Sequence, residues 1–286
     1  MSVSKIALCM GILSLITVCC AKKQNVDSLI EDLENGYDHV RRQAMMDLLR
    51  RDKDEVVPPL IEVLRTGTRQ AQYMAVQILG KMNDRRAVEP LIVLLKNTHH
   101  EYIRAATAEA LGNLKDPRAT DPLLRCMKDP HDVVRLKATF ALGGMDDIRV
   151  VPPLMAALGD SVTGVRASAL VSLDRIWPKV TEDVQKREIL NGIEQAAVDT
   201  SAAVRYVAVQ LLGSMGDRKA VPILIESLKD EHRPIRKKAA QSLGELGDQR
   251  AVAPLKELVN QGTEEEQGAA ERALKRIMEG KNIPKK

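Results

Sequence analysis

The sequence predicts an all-α fold, an α-solenoid in which about eight helical hairpins stack into a superhelix. One position near the start of each unit recurs at intervals of 31, 31, 32, 31, 39, 31 and 31 residues along the 286-residue chain. This position is occupied by Ser28, Pro59, Pro90, Pro122, Pro153, Gly192, Ile223 and Pro254. A period of this length is typical of stacked helical units, each too small to bury its own apolar face. Aromatic residues make up only 2% of the chain, which argues against a β-sandwich or barrel.

Each unit has the pattern of two amphipathic helices. In the third unit, apolar residues recur three and four positions apart in 87–95 and again in 102–111. Because proline lacks an N–H group, the first helix of a unit should begin close to the recurring proline. An Asp in the preceding turn, often after Gly or Asn, should end one helix and cap the next. Five units carry it, as Asp84, Asp116, Asp147, Asp217 and Asp248.

An Arg recurs in the second helix of six units. These residues are Arg41, Arg104, Arg135, Arg166, Arg205 and Arg236, and Gln72 and Gln267 replace them in the second and last units. Because guanidinium groups bind carboxylates and carbonyls well, we expect a structural ladder in which each Arg bonds a carboxylate or carbonyl of a nearby turn. The Asp of the Asp-x-Arg turn between units is one candidate for that carboxylate. Glu266 and Gln267 stand in place of Val-Arg in the last unit, which is expected of a terminal unit that faces water.

The longest interval marks an irregular insertion at about residues 177–188. Pro178 should end the second helix of the fifth unit, because proline disrupts a helix interior. Thr181 is then expected to cap a lengthened first helix in the sixth unit. We expect a bend or bump in the superhelix at this point.

The motif Asp-x-Arg-Ala-x-x-Pro-Leu at 116–123, followed by Val-Arg-x-x-Ala-x-x-Ala-Leu-Gly at 134–143, resembles HEAT repeats of the short type also found in phycobilisome lyases. The resemblance covers residues 26–280. It implies the solenoid fold specifically. It says little about function, because the same fold serves scaffolds, adaptors, lyase subunits and a few enzymes.

The resemblance also implies that the second helices line the concave side of the solenoid. On these helices the positions one and five residues after the Arg lie opposite the core-facing positions. The predicted partner-binding residues are Arg42, Tyr73, Gln77, Leu136, Phe140, Val171, Tyr206 and Gln210. They predict an inner wall with an apolar middle and basic ends, suited to anchoring a protein. Alternatively, these side chains fill gaps between neighbouring helices.

Residues 1–20 lie outside the repeat and indicate an export signal. Lys5 precedes an apolar run, 6–18, that is shorter than the ~20 residues needed to span a bilayer. Residues 15–20 resemble a relaxed bacterial lipoprotein box, with Cys20, or else Cys19, as the lipid-bearing residue. The expected location is therefore the periplasm or outer cell envelope, lipid-anchored. Cleavage after Ala21 and an uncleaved leader with a cytoplasmic solenoid remain open, and residues 281–286 form a basic tail.

The sequence offers no sign of catalysis or of a cofactor. It has no Gly-rich phosphate loop or nucleophile elbow, and a single His100-Glu101 pair cannot build a two-metal site. Cys126 lies among apolar residues, as a packed thiol would. The formal charge of +4 is too small and too evenly spread for nucleic-acid binding.

We therefore predict a non-catalytic, monomeric scaffold that needs neither metal nor cofactor. Its concave face would bind a protein or peptide and no nucleic acid, and only its N-terminal lipid or leader would contact a membrane. The alternative is an accessory or chaperone-like subunit of a lyase or another maturation enzyme.

Overall fold

The computed structural model describes residues 24–280, and within this range it contains sixteen α-helices and no β-strand. The helices pair into eight hairpins, which confirms the predicted all-α solenoid. The first helices are α1 (Val26–Asn35), α3 (Lys53–Thr66), α5 (Val88–Asn97), α7 (Thr120–Cys126), α9 (Val151–Ala157), α11 (Asp183–Ala196), α13 (Val221–Ser227) and α15 (Val252–Gln261). The second helices are α2 (Asp38–Leu48), α4 (Arg69–Met82), α6 (Glu101–Leu114), α8 (Asp132–Leu142), α10 (Thr163–Ile176), α12 (Ala202–Met215), α14 (Arg233–Leu246) and α16 (Glu264–Met278). The leader with Cys19 and Cys20, and the tail 281–286, lie outside the described residues.

The Asp of each inter-repeat turn caps a short 3-10 turn that leads into the next first helix. The Asp116 carboxylate, for example, accepts a hydrogen bond from the backbone N–H of Arg118 at 3.1 Å. The same bond forms at Asp84, Asp147, Asp217 and Asp248, at 2.9 to 3.0 Å. Just before several of these turns the backbone is left-handed, at Asn83, Lys115, Gly216 and Gly247. These residues end the second helix, as the sequence predicted.

The recurring proline lies in the first turn of its helix in four units. Pro90, Pro122, Pro153 and Pro254 are each the third residue of α5, α7, α9 and α15. The missing N–H costs nothing there, because the first N–H groups of a helix have no intrahelical acceptor. The second unit departs from the prediction. Asp52 caps α3, its carboxylate accepting from the Asp54 N–H at 2.7 Å, so the helix begins early and Pro58 and Pro59 lie inside it.

In most units a glycine of the second helix, or directly after it, lies against a small side chain of the next second helix, which lets the two helices approach closely. A Cβ atom added to Gly112 would lie 2.5 Å from the Cβ of Ala141 in the next unit. Equivalent pairs are Gly80 with Ala110, Gly143 with Ser172, Gly213 with Ser242 and Gly244 with Ala273. From the second unit onward, first helices contact one another far less than second helices do. From the second unit onward, the layer of second helices is therefore the more closely packed of the two layers.

The apolar core runs from the first unit to the last. The residue after the recurring position is at most 1% exposed in every unit. These residues are Leu29, Leu60, Leu91, Leu123, Leu154, Ile193, Leu224 and Leu255. All eight belong to one continuous cluster of buried apolar residues, so stability accumulates unit by unit.

The junction between the fifth and sixth units differs from the others. Helix α10 ends at Ile176, just before Pro178 as predicted, and a 3-10 turn, Trp177–Lys179, follows. The lengthened helix α11 begins after Glu182, whose side chain makes no capping bond, so the prediction that Thr181 caps it is wrong. Asp174 occupies the position held by glycine in other units, and burial raises its pKa although neighbouring Arg175 opposes the shift. Helices α10 and α12 consequently pack less closely than the pairs α4–α6, α6–α8, α12–α14 and α14–α16.

Candidate partner-binding face

The recurring Arg of the second helix bridges two hairpins. In Arg104, Nε donates to Asp129 Oδ2 at 2.7 Å and Nη2 donates to Asp129 Oδ1 at 3.0 Å. Asp129 lies in the loop inside the next hairpin, between α7 and α8. The third donor, Nη1, reaches back to the carbonyl of Thr98 in the loop of its own hairpin, at 3.3 Å. One guanidinium thus ties two successive hairpin loops together with charge-assisted bonds.

The same bridge repeats along the following units. The ion pairs are Arg135 with Asp160, Arg166 with Asp199 and Arg205 with Asp230, with Nε to Oδ2 distances of 2.7 to 2.8 Å. The carbonyl of each such Asp also accepts from the next Arg, as Asp129 does from Arg135 Nη1 at 3.0 Å. We call this continuous series of bonds, from Arg104 to Glu266, the loop ladder.

Glu266 closes the loop ladder at the C-terminal end. Arg236 Nε donates to Glu266 Oε1 at 2.7 Å, and Oε2 accepts from the backbone and the hydroxyl of Thr263, each at 2.7 Å. Glu266 is only 1% exposed, so the expectation that it faces water is wrong. Although burial opposes the shift, the bonds from Thr263 and Arg236 lower the pKa of Glu266.

The carboxylates of the loop ladder are held ionised by their partners. The two bonds from Arg135 lower the pKa of Asp160 below its ordinary value of 3.8, and those from Arg166 do the same for Asp199. The side chains of Arg135 and Asp160 are only 15% and 14% exposed. Partly buried pairs of this kind are screened less by salt than surface pairs.

The loop ladder does not extend into the first two units. Arg41 donates to the carbonyls of Leu33 and Glu34 in its own hairpin, at 3.1 and 3.3 Å, and Gln72 donates to the Leu64 carbonyl at 3.1 Å. Where the bridge between the second and third units would lie, a groove of about 850 Å³ opens beside Gln72.

Sequence reasoning missed the carboxylates of the loop ladder. In the Asp-x-Arg turns, the Arg forms an ion pair with the Asp of the same turn, as Arg118 Nε does with Asp116 Oδ1 at 2.9 Å. The true partners lie six residues before the next Arg, a spacing visible at Asp129, Asp160, Asp199 and Asp230. Comparing that position across units would have found them.

The predicted partner-binding residues all lie on second helices, with different exposures. Arg42, Phe140 and Gln210 are exposed, whereas Gln77 and Val171 are half-buried. The other three, Tyr73, Leu136 and Tyr206, are half-buried and pack partly against the core.

Phe140 is the exposed aromatic side chain at the middle of this face. Its side chain is 44% exposed, and the guanidinium carbon of Arg175 from the next unit lies 4.1 Å from the ring centroid. Lys137, one turn earlier on the same helix, pairs with Glu109 at 2.8 Å. The middle of the face therefore carries cations as well as apolar groups, so the prediction of an apolar middle is wrong.

Reactive groups are few within residues 24–280. No three His, Cys, Asp or Glu side chains in this range come close enough to hold a metal ion. Burial raises the pKa of Cys126 to about 11, so at neutral pH this thiol is protonated and a poor nucleophile. None of the described helices is long and apolar enough to cross a membrane.

Comparisons with known proteins agree with this architecture. The family model for HEAT repeats matches residues 26–111, 57–142 and 190–275, and the model for the PBS lyase HEAT-like repeat matches 134–160. The Escherichia coli protein YibA has a similar structure with a TM-score of 0.68 at 20% identity, covering 93% of this chain and 96% of that one. An engineered protein reaches 0.55 at 18% identity, covering 88% of this chain and 78% of its own.

No curated protein matches the sequence. The HEAT repeat model spans well over half of the residues, in both the N-terminal and the C-terminal parts of the solenoid. The chain belongs to the HEAT repeat family.

Proposed function

We propose that this chain is a non-catalytic scaffold that holds a protein or peptide partner against the face formed by its second helices. We call that surface the inner face. The observation that carries the proposal is the exposed ring of Phe140 in the middle of the inner face, with Arg175 placed over it.

An exposed aromatic ring beside a cation is a favourable anchor. Covering the ring removes apolar area from water, and aromatic and Arg side chains are the residues most often found to dominate binding energies at interfaces. Half-buried Leu136 and Val171 extend the apolar area on the same helix and the next. Within residues 24–280, no three His, Cys, Asp or Glu side chains come close enough to hold a metal ion, and burial keeps the Cys126 thiol protonated at neutral pH.

The loop ladder supports this role by fixing the spacing of successive second helices. Four of its five rungs join two hairpin loops through a doubly hydrogen-bonded ion pair, as between Arg135 and Asp160, and the last, Arg236 with Glu266, has one bond. A surface that is already ordered loses less conformational entropy when it binds. The inner face from the third unit to the eighth is therefore preorganised.

The proposed location is the cell envelope, with lipid attached at Cys20 or Cys19. Support comes from Lys5 and the apolar run that follows it in the sequence. Mass spectrometry of the mature N-terminus tests this directly. A diacylglyceryl cysteine is expected, whereas a chain that begins at Lys22 or retains Ser2 would contradict lipid anchoring.

The binding role is tested by capture from envelope fractions with Phe140→Asp. We expect the variant to lose a partner that the wild-type protein retains, with an unchanged circular dichroism spectrum and melting temperature. The matched control is Tyr37→Asp, because Tyr37 is 81% exposed but precedes α2 and lies off the inner face. Equal capture by Phe140→Asp and wild type would contradict the proposal. Leu136 is less suitable alone, since it also packs against the cluster of Val165 and Ala169.

A further inference from the structure

The inner face carries many more positive than negative side chains. On a helix with 3.6 residues per turn, the positions two before and one, two, five and nine after the recurring Arg or Gln fall within about 100° of arc. Eight cations occupy these positions in the second helices: Arg42, Lys81, Lys137, Arg175, Lys237, Lys238, Arg272 and Arg276. Only three carboxylates do so: Glu109, Glu245 and Glu265.

The rest of the surface has the opposite sign. Of the 43 Lys and Arg residues in the chain, six lysines lie in 1–23 and 281–286, which leaves 37 against 39 Asp and Glu in residues 24–280. The described solenoid as a whole is therefore slightly acidic, although its inner face is basic. A concave surface lined by one sign of charge concentrates its field on the groove and attracts ligands of the opposite sign.

Two of these cations are not neutralised by a carboxylate of the described residues, so they can pair with a ligand. Within residues 24–280, Arg175 and Lys238 form no ion pair with a carboxylate, and they lie instead over the rings of Phe140 and Tyr206, at 4.1 and 5.6 Å from the centroids. An aromatic ring attracts a cation without neutralising it. By contrast, Lys137 and Lys237 are paired with Glu109 and Glu265, at 2.8 and 2.6 Å.

We infer that the occupant of the inner face is an acidic protein segment that carries an aliphatic or aromatic residue. Its carboxylates would pair with Arg175 and Lys238, and its apolar residue would cover the exposed part of Phe140. This inference rests on the scaffold function proposed above and adds the chemistry of the partner.

The aromatic geometry favours an acidic protein over a nucleic acid. Single-stranded nucleic acids bind by stacking bases on free aromatic faces along a cationic groove. At the inner-face positions of residues 24–280, Tyr102 is 67% exposed with no cation over its ring, whereas one face of Phe140 is covered by Arg175 and Tyr206 is half-buried beneath Lys238. One such ring does not form a series of stacking faces along the groove. Carboxylates need no free ring face, since they bind the guanidinium and ammonium groups directly.

The inference is tested by selecting from a random 16-residue peptide library displayed on phage, with the full chain as the target. We expect the enriched peptides to carry net negative charge and at least one Phe, Leu, Ile or Trp. A fluorescein-labelled enriched peptide should bind about tenfold more weakly to Arg175→Glu and to Lys238→Glu, because each reverses a charge at the contact. The control Arg125→Glu reverses an exposed charge on the first helix α7 and should leave the affinity unchanged.

The outcomes separate this inference from the proposed function. Enriched peptides that are neutral or basic, yet lose binding in Phe140→Asp, would overturn the acidic partner and leave the scaffold function standing. No enrichment, or binding insensitive to every inner-face variant, would overturn both. A labelled twenty-residue oligo-dT that binds more tightly than the acidic peptides, and weakens in the same charge variants, would reassign the face to nucleic acid and overturn the inference.

Discussion

Arg135 and Asp160 are joined by two hydrogen bonds across the boundary between the fourth and fifth hairpins, from Nε at 2.8 Å and from Nη2 at 3.0 Å. The same guanidinium also donates to the Asp129 carbonyl at 3.0 Å, so the bond series passes through Arg135 without interruption. Each rung of the loop ladder therefore contributes both to its own junction and to the order of the next loop.

Removing one rung should destabilise the solenoid measurably. Arg135→Met leaves the Asp160 carboxylate largely buried without its main partner, and we expect the free energy of unfolding to fall by about 1–3 kcal/mol. The control is Arg149→Met, because Arg149 is 62% exposed in its pair with Asp147. Exposed pairs contribute about 0–1 kcal/mol. Urea denaturation followed by circular dichroism measures both, and equal losses would contradict a structural role for the loop ladder.

The melting temperature should fall in acid. Arg135 lowers the pKa of Asp160, and Arg118 and Arg250 lower those of Asp116 and Asp248 to about 2. A carboxyl group whose folded pKa is depressed contributes stability that is complete above its unfolded pKa, 3.8 for Asp, and is lost as the pH falls toward the folded pKa.

Most of the loss is therefore expected between about pH 5 and pH 2. Asp160→Asn removes one titrating rung, so its melting temperature should be lower at neutral pH and should decline less steeply with acid. Parallel curves for wild type and variant across this range would contradict the assignment of acid sensitivity to Asp160.

The close packing of second helices predicts that a methyl group added at the contact glycine lowers the free energy of unfolding. Gly112→Ala would place a Cβ atom 2.5 Å from the Ala141 Cβ and 2.8 Å from its Cα. Overpacking of this kind costs about 1–3 kcal/mol, although Gly to Ala normally favours a helix. Gly159→Ala is the control, because its Cβ atom would meet nothing closer than 3.5 Å. A lower melting temperature in Gly112→Ala alone is expected, and unchanged stability would argue against the tight inner layer.

The regular parts of the fold were predictable because they depend on local patterns that repeat. Eight hairpins follow from the period, and the fully buried Leu after each recurring Pro follows from the spacing of apolar residues within a helix. The capping by Asp116 and its counterparts was equally accessible, since the Asp and the N–H that it binds are two residues apart.

The bonds between units were harder to predict because their partners are distant in sequence. Arg104 and Asp129 are separated by 25 residues, and nothing local to Arg104 indicates Asp129 rather than the Asp of an adjoining turn. Glu266 was misjudged for the same reason. Its burial depends on Arg236 from the preceding hairpin, whereas its residue type alone suggests exposure.

The inner face was predictable in its helix positions but only partly in its chemistry. The positions of Phe140 and Gln210 on exposed surface follow from helical periodicity. The placement of Arg175 over Phe140 depends on how two successive units are offset, which the sequence pattern does not specify. That offset converts an apolar patch into a mixed aromatic and cationic one.

Photo-crosslinking in intact cells, with p-benzoylphenylalanine placed at position 140, tests the partner-binding role of the inner face most directly. The same substitution at Tyr37, which is 81% exposed, serves as the reference site. We expect a discrete protein adduct from position 140 and none from position 37. Absence of an adduct at position 140, or the same adduct from both positions, would contradict the account.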